Sequence, residues 1–170
     1  LRDGYAVWVA AAEQGCIEVI EELHRRNIPH QSVDVAEGAA KGGHLAVLRW
    51  VVGVFPDTPC GRAIEHAAKH GHMEVLQWLD ANRSEGCTEK AMNFAAEHGH
   101  SEVVKWLHAT RTEGCTTRAM NGAAKNGHLE VVQWLHANRS EGCTTDAMNL
   151  AAKNGHLEVV RWLHTNRNEG

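Results

Sequence analysis

Residues 123–135 read Ala-Ala-Lys-Asn-Gly-His-Leu-Glu-Val-Val-Gln-Trp-Leu, and this stretch decides the fold. Two small residues close one short apolar face, Gly127 interrupts it, and a second helical pattern begins at once. A glycine just past the last periodic residue suits the left-handed conformation that ends a helix. The stretch therefore predicts the end of one helix, a tight turn and the start of another.

Working outward, the same pattern returns every 28 residues. Gly15, Gly43, Gly71, Gly99, Gly127 and Gly155 hold one register without a slip. His44, His72, His100, His128 and His156 follow five of them, and Cys16 follows the first. An Ala-Ala pair precedes each glycine, from Ala11-Ala12 to Ala151-Ala152, and Trp50, Trp78, Trp106, Trp134 and Trp162 keep the same step. Six copies result, near 7–34, 35–62, 63–90, 91–118, 119–146 and 147–170. Self-similarity at a fixed period of this length marks a stacked repeat architecture.

Within a copy the period is helical. In TTDAMNLAAKNG (144–155), Ala147, Met148, Ala151 and Ala152 fall on one face, and Thr144 or Thr145 can cap the start. In HLEVVRWLHTNR (156–167), Leu157, Val160, Leu163 and His164 share a face while Glu158 and Arg161 point away. The loop NRSEGCT (138–144) contains no hydrophobic run. Helices this short are marginal alone, so neighbouring copies must bury what one copy cannot. The expected fold is all-α: a single solenoid domain over residues 1–170, built from six stacked helix-turn-helix repeats. On the helical wheel Trp134 lies away from Val132 and Leu135, so the tryptophans are expected to wedge between repeats. An exposed row docking a partner is the alternative.

The chain has 43% apolar and 22% charged residues, close to a globular average. Its net charge of −4 supplies no basic field, so no nucleic-acid partner is expected. No apolar run approaches the ~20 residues of a membrane span, so no membrane partner is expected either. Cys87, Cys115 and Cys143 recur one per copy, roughly 8–10 Å apart if the copies stack. A disulfide needs Cα atoms within about 7 Å. Reduced cysteines in an intracellular, reducing compartment are therefore expected.

Thirteen histidines are explained mostly by repetition. Those after the turn glycine are expected to bond the backbone at a helix start. His24, His108, His136 and His164 follow the leucine of the second helix, with one ring nitrogen expected to be exposed. His70-x-His72 and His98-x-His100 could begin a metal site, but no third or fourth convergent ligand is evident, so no metal and no cofactor are expected. Glu74, Glu102, Glu130 and Glu158 recur identically, whereas a catalytic group stands once with an oriented partner. Neither a phosphate loop nor a nucleophile elbow is present, so no enzyme is expected.

The string GHLEVVQWL (127–135), preceded by Ala123-Ala124, resembles the ankyrin repeat, whose motif runs TPLH-x-AA-x-x-GHLEVV-x-LL. The resemblance covers all six copies. The ankyrin unit is ~33 residues and this one is shorter. The missing residues lie in the loop, where that family builds its β-hairpin finger. Thr-Pro and the TPLH histidine are also absent, replaced by Thr144-Thr145 and by Glu65, Asn93, Asn121 or Asn149. The resemblance implies a short-loop, ankyrin-like solenoid without fingers, of a type similar to arrays in oomycete proteins.

The resemblance also implies recognition on the concave side, carried here by the first helices. Positions there vary on a fixed frame. The residue before Ala-Ala runs Ala10, Gly38, His66, Phe94, Gly122, Leu150, and the residue opening the helix runs Asp34, Arg62, Lys90, Arg118, Asp146. The candidate protein-binding residues are His66, Lys69, His70, Phe94, Glu97, His98, Lys125, Asn126, Leu150, Lys153 and Asn154. The expected function is a non-catalytic scaffold binding a protein partner. The alternatives are the recognition segment of a larger effector or adaptor whose activity lies elsewhere, and, more remotely, histidine-based metal binding.

The first two copies deviate. Glu22 stands where the other copies carry Trp, and the loop VGVFPDTPCGR (52–62) holds Phe55 and two prolines, which suggests a specific insertion surface. The last copy keeps the interior pattern Leu157, Val160, Trp162, Leu163, so further repeats of the same chain are expected beyond one or both ends.

Overall fold

The computed structural model describes residues 2–83, 85–86 and 88–168. Among them are twelve helices and no strand. The chain forms two compact units. The first holds α1 (Arg2–Glu13), α2 (Ile17–Arg25), α3 (Ser32–Gly42), α4 (Leu45–Val54), α5 (Gly61–His70) and α6 (Met73–Asn82). The second holds α7 (Glu89–Glu97), α8 (Ser101–Thr110), α9 (Thr117–Lys125), α10 (Leu129–Asn138), α11 (Thr145–Lys153) and α12 (Leu157–Asn166). Each unit is thus three helix-turn-helix repeats. The loops 110–116 and 138–144 carry no hairpin, and neither do the described residues of 82–88, where Ser84 and Cys87 lie outside the description.

Local chemistry explains both helix boundaries. Thr88, Thr116 and Thr144 cap α7, α9 and α11, each hydroxyl accepting the N–H two residues on. At the other end Gly99, Gly127 and Gly155 adopt φ of +78, +78 and +79°, where a β-carbon is strained. The next N–H folds back onto the helix: His128 donates to the carbonyl of Ala123 at 2.9 Å. That bond satisfies one of the last carbonyls of the helix and sets up the reversal.

Within each unit the first helices pack closely side by side, whereas the second helices touch one another sparingly. The Ala-Ala pairs are the cause. Ala39, Ala40, Ala67 and Ala68 in one unit, and Ala95, Ala96, Ala123 and Ala124 in the other, are fully buried and let the backbones approach. The first-helix side is therefore the inner face of each unit.

The second helices bury a different set from the wheel's expectation. Val131, Val132 and Leu135 are buried in α10, as are Val103, Val104 and Leu107 in α8. In α12 the buried residues are Val159 and Leu163, whereas Leu157 is 57% exposed and His164 is exposed. The core-facing arc is turned toward the first valine, which is buried at Val47, Val75, Val103, Val131 and Val159. In the first repeat the equivalent Val19 is 42% exposed and Ile20 carries the burial instead. Each fully buried Val or Leu contributes about 1.5–3 kcal/mol, which marginal nine- or ten-residue helices need.

Candidate functional site

The turn histidines do not cap their own helices: His44, His72, His128 and His156 stand at N-cap positions without a side-chain cap bond. They reach back one repeat. His44 Nε2 lies 3.0 Å from the carbonyl of Glu13, and His72 Nε2 lies 3.0 Å from that of Lys41. These carbonyls belong to the last turn of the preceding first helix, where acceptors lack intrahelical donors. Asn126 and Asn154 do the same, donating at 2.7 Å to the carbonyls of Glu97 and Lys125. Both asparagines are candidate binding residues, and the structure gives each a bond between repeats.

The asparagines in the place of the family histidine have a parallel role. Asn93 Nδ2 donates to the Thr116 hydroxyl at 3.1 Å, and the Thr116 N–H donates to Asn93 Oδ1 at 3.0 Å. Asn121 and Thr144 form the same reciprocal pair, at 2.8 and 3.0 Å. One side chain thus orders the start of the following first helix.

On the inner face of the first unit, α1, α3 and α5 enclose a cleft of about 710 Å³. Its floor is small and apolar, with Ala6, Val9, Ala10 and Gly38. Charged groups rim it. Glu13 pairs with Lys41 at 2.9 Å, and Glu37, whose side chain is 14% exposed, lies 3.5 Å from both Arg62 and His66. Asp34, Lys69 and His70 complete the wall. The cleft brings together the candidates His66, Lys69 and His70. It also recruits Glu13, Asp34, Glu37, Lys41 and Arg62, which the candidate set omitted. The signal for it was the residue before Ala-Ala, small at Ala10 and Gly38 and large at His66.

The same inner face in the second unit is built differently. Phe94 and Leu150 are half-buried on α7 and α11. Between them Gly122 is buried, not a solvent position, and a β-carbon there would stand 2.9 Å from that of Glu97. Glu97 thus lies across α9, with its carboxylate 3.7 Å from Lys125. Gly38 is buried for a similar reason, against Ala12 and the carbonyl of Val9. The position before Ala-Ala is therefore a packing position wherever it is glycine. His98 Nδ1 sits 2.9 Å from the carbonyl of Phe94, while Lys153, at the end of α11, is exposed.

Trp50, Trp78, Trp106, Trp134 and Trp162 are half-buried, and Trp134 and Trp162 wedge against the preceding repeat. Trp134 meets the ring of His108 edge-on at 5.1 Å, and Trp162 meets His136 in the same way at 5.1 Å. The outer nitrogen of these histidines is engaged too: Arg139 lies 3.3 Å from His108 Nδ1 and Arg167 lies 3.2 Å from His136 Nδ1. In the first unit Phe55, from the deviant loop, joins a ring cluster with His24, His30 and Trp50, and buried Trp8 stacks on His30 at 4.1 Å. Burial pushes the His30 imidazole below its ordinary range, and the neighbouring His24 adds to that. Burial likewise lowers His128.

The deviant loop is clasped from the next one. Arg83 donates at 2.8 Å to the carbonyls of Pro56 and Thr58, and Glu85 accepts the Cys60 N–H at 3.1 Å. In the second unit Arg139 and Glu141 form the equivalent pair against Cys115. The arginine hydrogen bond in each pair holds Glu85 and Glu141 below the usual carboxylate range. Cys16, Cys60, Cys115 and Cys143 form no disulfide, and burial pushes the thiols of Cys60 and Cys115 upward. Cys87 lies outside the described residues. Among the described residues no group of three or more His, Cys, Asp or Glu could hold a metal ion, and no helix is long and apolar enough to cross a membrane.

A family model described as ankyrin repeats in many copies matches residues 64–108 and 112–164. No curated protein gives a significant match to the chain.

Proposed function

The chain belongs to the ankyrin-repeat family, and from that premise we propose that it is a scaffold that takes a protein partner on the inner face of its first helices. The family fold is in general consistent with a protein-interaction scaffold, and its architecture with a non-catalytic protein. The observation that supports the inner face is the cleft over Ala10 and Gly38, with a small apolar floor inside a charged rim. Such a combination suits an anchor side chain surrounded by orienting polar contacts.

The test compares two bulky replacements in a partner-capture experiment. Ala10→Trp fills the cleft from an exposed position, whereas Gln133→Trp adds the same ring to the exposed side of α10. A partner held on the inner face is lost with Ala10→Trp and kept with Gln133→Trp. Loss with Gln133→Trp alone would move the site to the second helices and overturn the proposal.

A further inference from the structure

In the second unit the same contacts join each repeat to the one before it. Thr116 and Thr144 pair reciprocally with Asn93 and Asn121. Asn126 and Asn154 donate to the carbonyls of Glu97 and Lys125, and the rings of His128 and His156 lie on Gly99 and Gly127. Trp134 and Trp162 meet the rings of His108 and His136, and Arg139 and Arg167 reach the Nδ1 atoms of the same two histidines.

The last repeat presents the receiving half of every one of these contacts. Asn149, Lys153, Gly155 and His164 stand at the receiving positions, and all four are exposed. Ala152 is exposed too, whereas the equivalent Ala96 and Ala124 are fully buried. Gly155 opens on a cavity of about 390 Å³ that Leu129, His156 and Leu157 also line, and nothing stands within 4 Å of a β-carbon there. The apolar surface and the polar groups of α11 and α12 therefore fit one occupant, a repeat built like those before it.

We propose that this face docks a helix-turn-helix repeat of the same pattern carried by a second polypeptide. A threonine ahead of its first helix pairs with Asn149. Its Asn-Gly-His turn sets the amide on the Lys153 carbonyl and the imidazole on Gly155. The tryptophan of its second helix and the arginine that follows clasp His164. A second copy of this chain does not qualify, because its first repeat carries Gln14, Cys16, Glu22 and Asn27 where the docking repeat needs Asn, His, Trp and Arg. That mismatch also blocks head-to-tail growth into filaments, the hazard of a contact between unlike faces. The face shares no residue with the cleft of the first unit, so the inner-face reading stands or falls separately.

The probe is a fluorescein-labelled synthetic peptide with the sequence of residues 114–142, carrying Cys115→Ser, which holds Thr116, Asn126, His128, Trp134 and Arg139. It is titrated with the whole chain and read by fluorescence polarisation. Helices this short are marginal alone, so the peptide should gain helix on binding, as circular dichroism measures. His128→Ala in the peptide should weaken binding about three- to tenfold, and Asn149→Ala in the chain should do the same, as for the loss of one hydrogen-bonded group. Gly155→Ala should weaken it further, since a β-carbon at the equivalent Gly127 would stand 2.5 Å from the His156 ring. Circular dichroism verifies that both chain variants are folded.

No binding at millimolar peptide would overturn the proposal. Binding that neither chain variant changes would place the peptide elsewhere, and equal binding of the two peptides would reduce the contact to unspecific apolar adhesion; either result overturns it. Self-association of the chain that Gly155→Ala abolishes would overturn it in favour of a second copy.

Discussion

His156 lies against the open Cα face of Gly127: a β-carbon built on that glycine would stand 2.5 Å from the imidazole Nδ1. The same relation joins His44 to Gly15, His72 to Gly43 and His128 to Gly99. The recurring Gly-His dipeptide is thus two halves of successive contacts. In these four pairs the glycine receives the ring of the next repeat, and the histidine delivers its ring to the previous one. The glycine is required twice over, once for its positive φ and once for the space its missing side chain leaves.

Gly127→Ala and Gly155→Ala separate these two requirements. Both residues have nearly the same φ, +78 and +79°, but nothing lies within 4 Å of a β-carbon at Gly155. Gly155→Ala should cost about 1–2 kcal/mol, the strain of a left-handed alanine. Gly127→Ala should cost that plus about 1–3 kcal/mol for displacing a packed ring. Urea denaturation measures both. Equal losses would mean that the imidazole moves aside without cost.

Asn93→Ala should lower stability by about 2 kcal/mol, because it breaks two hydrogen bonds and leaves the Thr116 N–H without its acceptor. Asn93 is only 7% exposed, so water does not readily replace the amide. Asn149→Ala, at the equivalent but exposed position of the last repeat, should change stability by less than about 0.5 kcal/mol. Similar losses at the two sites would show that the amide acts within its own helix, not on the next one.

Acid should destabilise the chain in two steps. His30 and His128 are held below their ordinary value of 6.5 in the folded state, so folding disfavours their protonation. Their contribution is complete above that value and is lost as pH falls through it toward the folded pKa. Glu85 and Glu141 are held below 4.5, so their contribution is present above that value and is lost as pH falls further. Unfolding midpoints recorded against pH should show both limbs. His30→Phe should shrink the upper limb alone and Glu85→Gln the lower one alone; a single limb removed by either change would contradict the assignment.

Thiol reactivity should be graded by burial. Cys16 is partly exposed and should react first with a disulfide reagent in the native protein. Cys60 and Cys115 should react slowly, since burial raises their thiols and restricts access. In denaturant all five cysteines of the sequence should titrate as free thiols. A shortfall of two would reveal a disulfide.

Some features were legible because one repeat contains all that sets them. Thr144 caps α11 through its own second neighbour, and Gly155 takes a positive φ because the chain must reverse there. Neither depends on what lies alongside. The second-helix face was harder to read, since a wheel drawn through Leu157, Val160, Leu163 and His164 knows nothing of the preceding repeat. Val131 is buried, whereas the equivalent Val19 of the first repeat is 42% exposed. The site divides in the same way. His66, Lys69 and His70 could be singled out as variable positions on a fixed frame. Their meeting with Asp34, Glu37 and Lys41 needed three first helices set side by side.

The sequence by itself determined the period, the helical class, the cap and the closing glycine of the first helices and the absence of room for a hairpin in the loops. These follow from backbone preference and apolar spacing over a few residues, which act before any tertiary contact forms. Only the tertiary structure decided where the polar side chains go. His44 bonds Glu13 instead of its own helix, Asn93 serves the next repeat, and Gly122 is crossed by Glu97. The reason is rotational. A repeat fixes which side chains it has, whereas the neighbour's close packing on the alanines fixes the angle at which they meet, and a polar contact survives only within a few tenths of an ångström of its proper length.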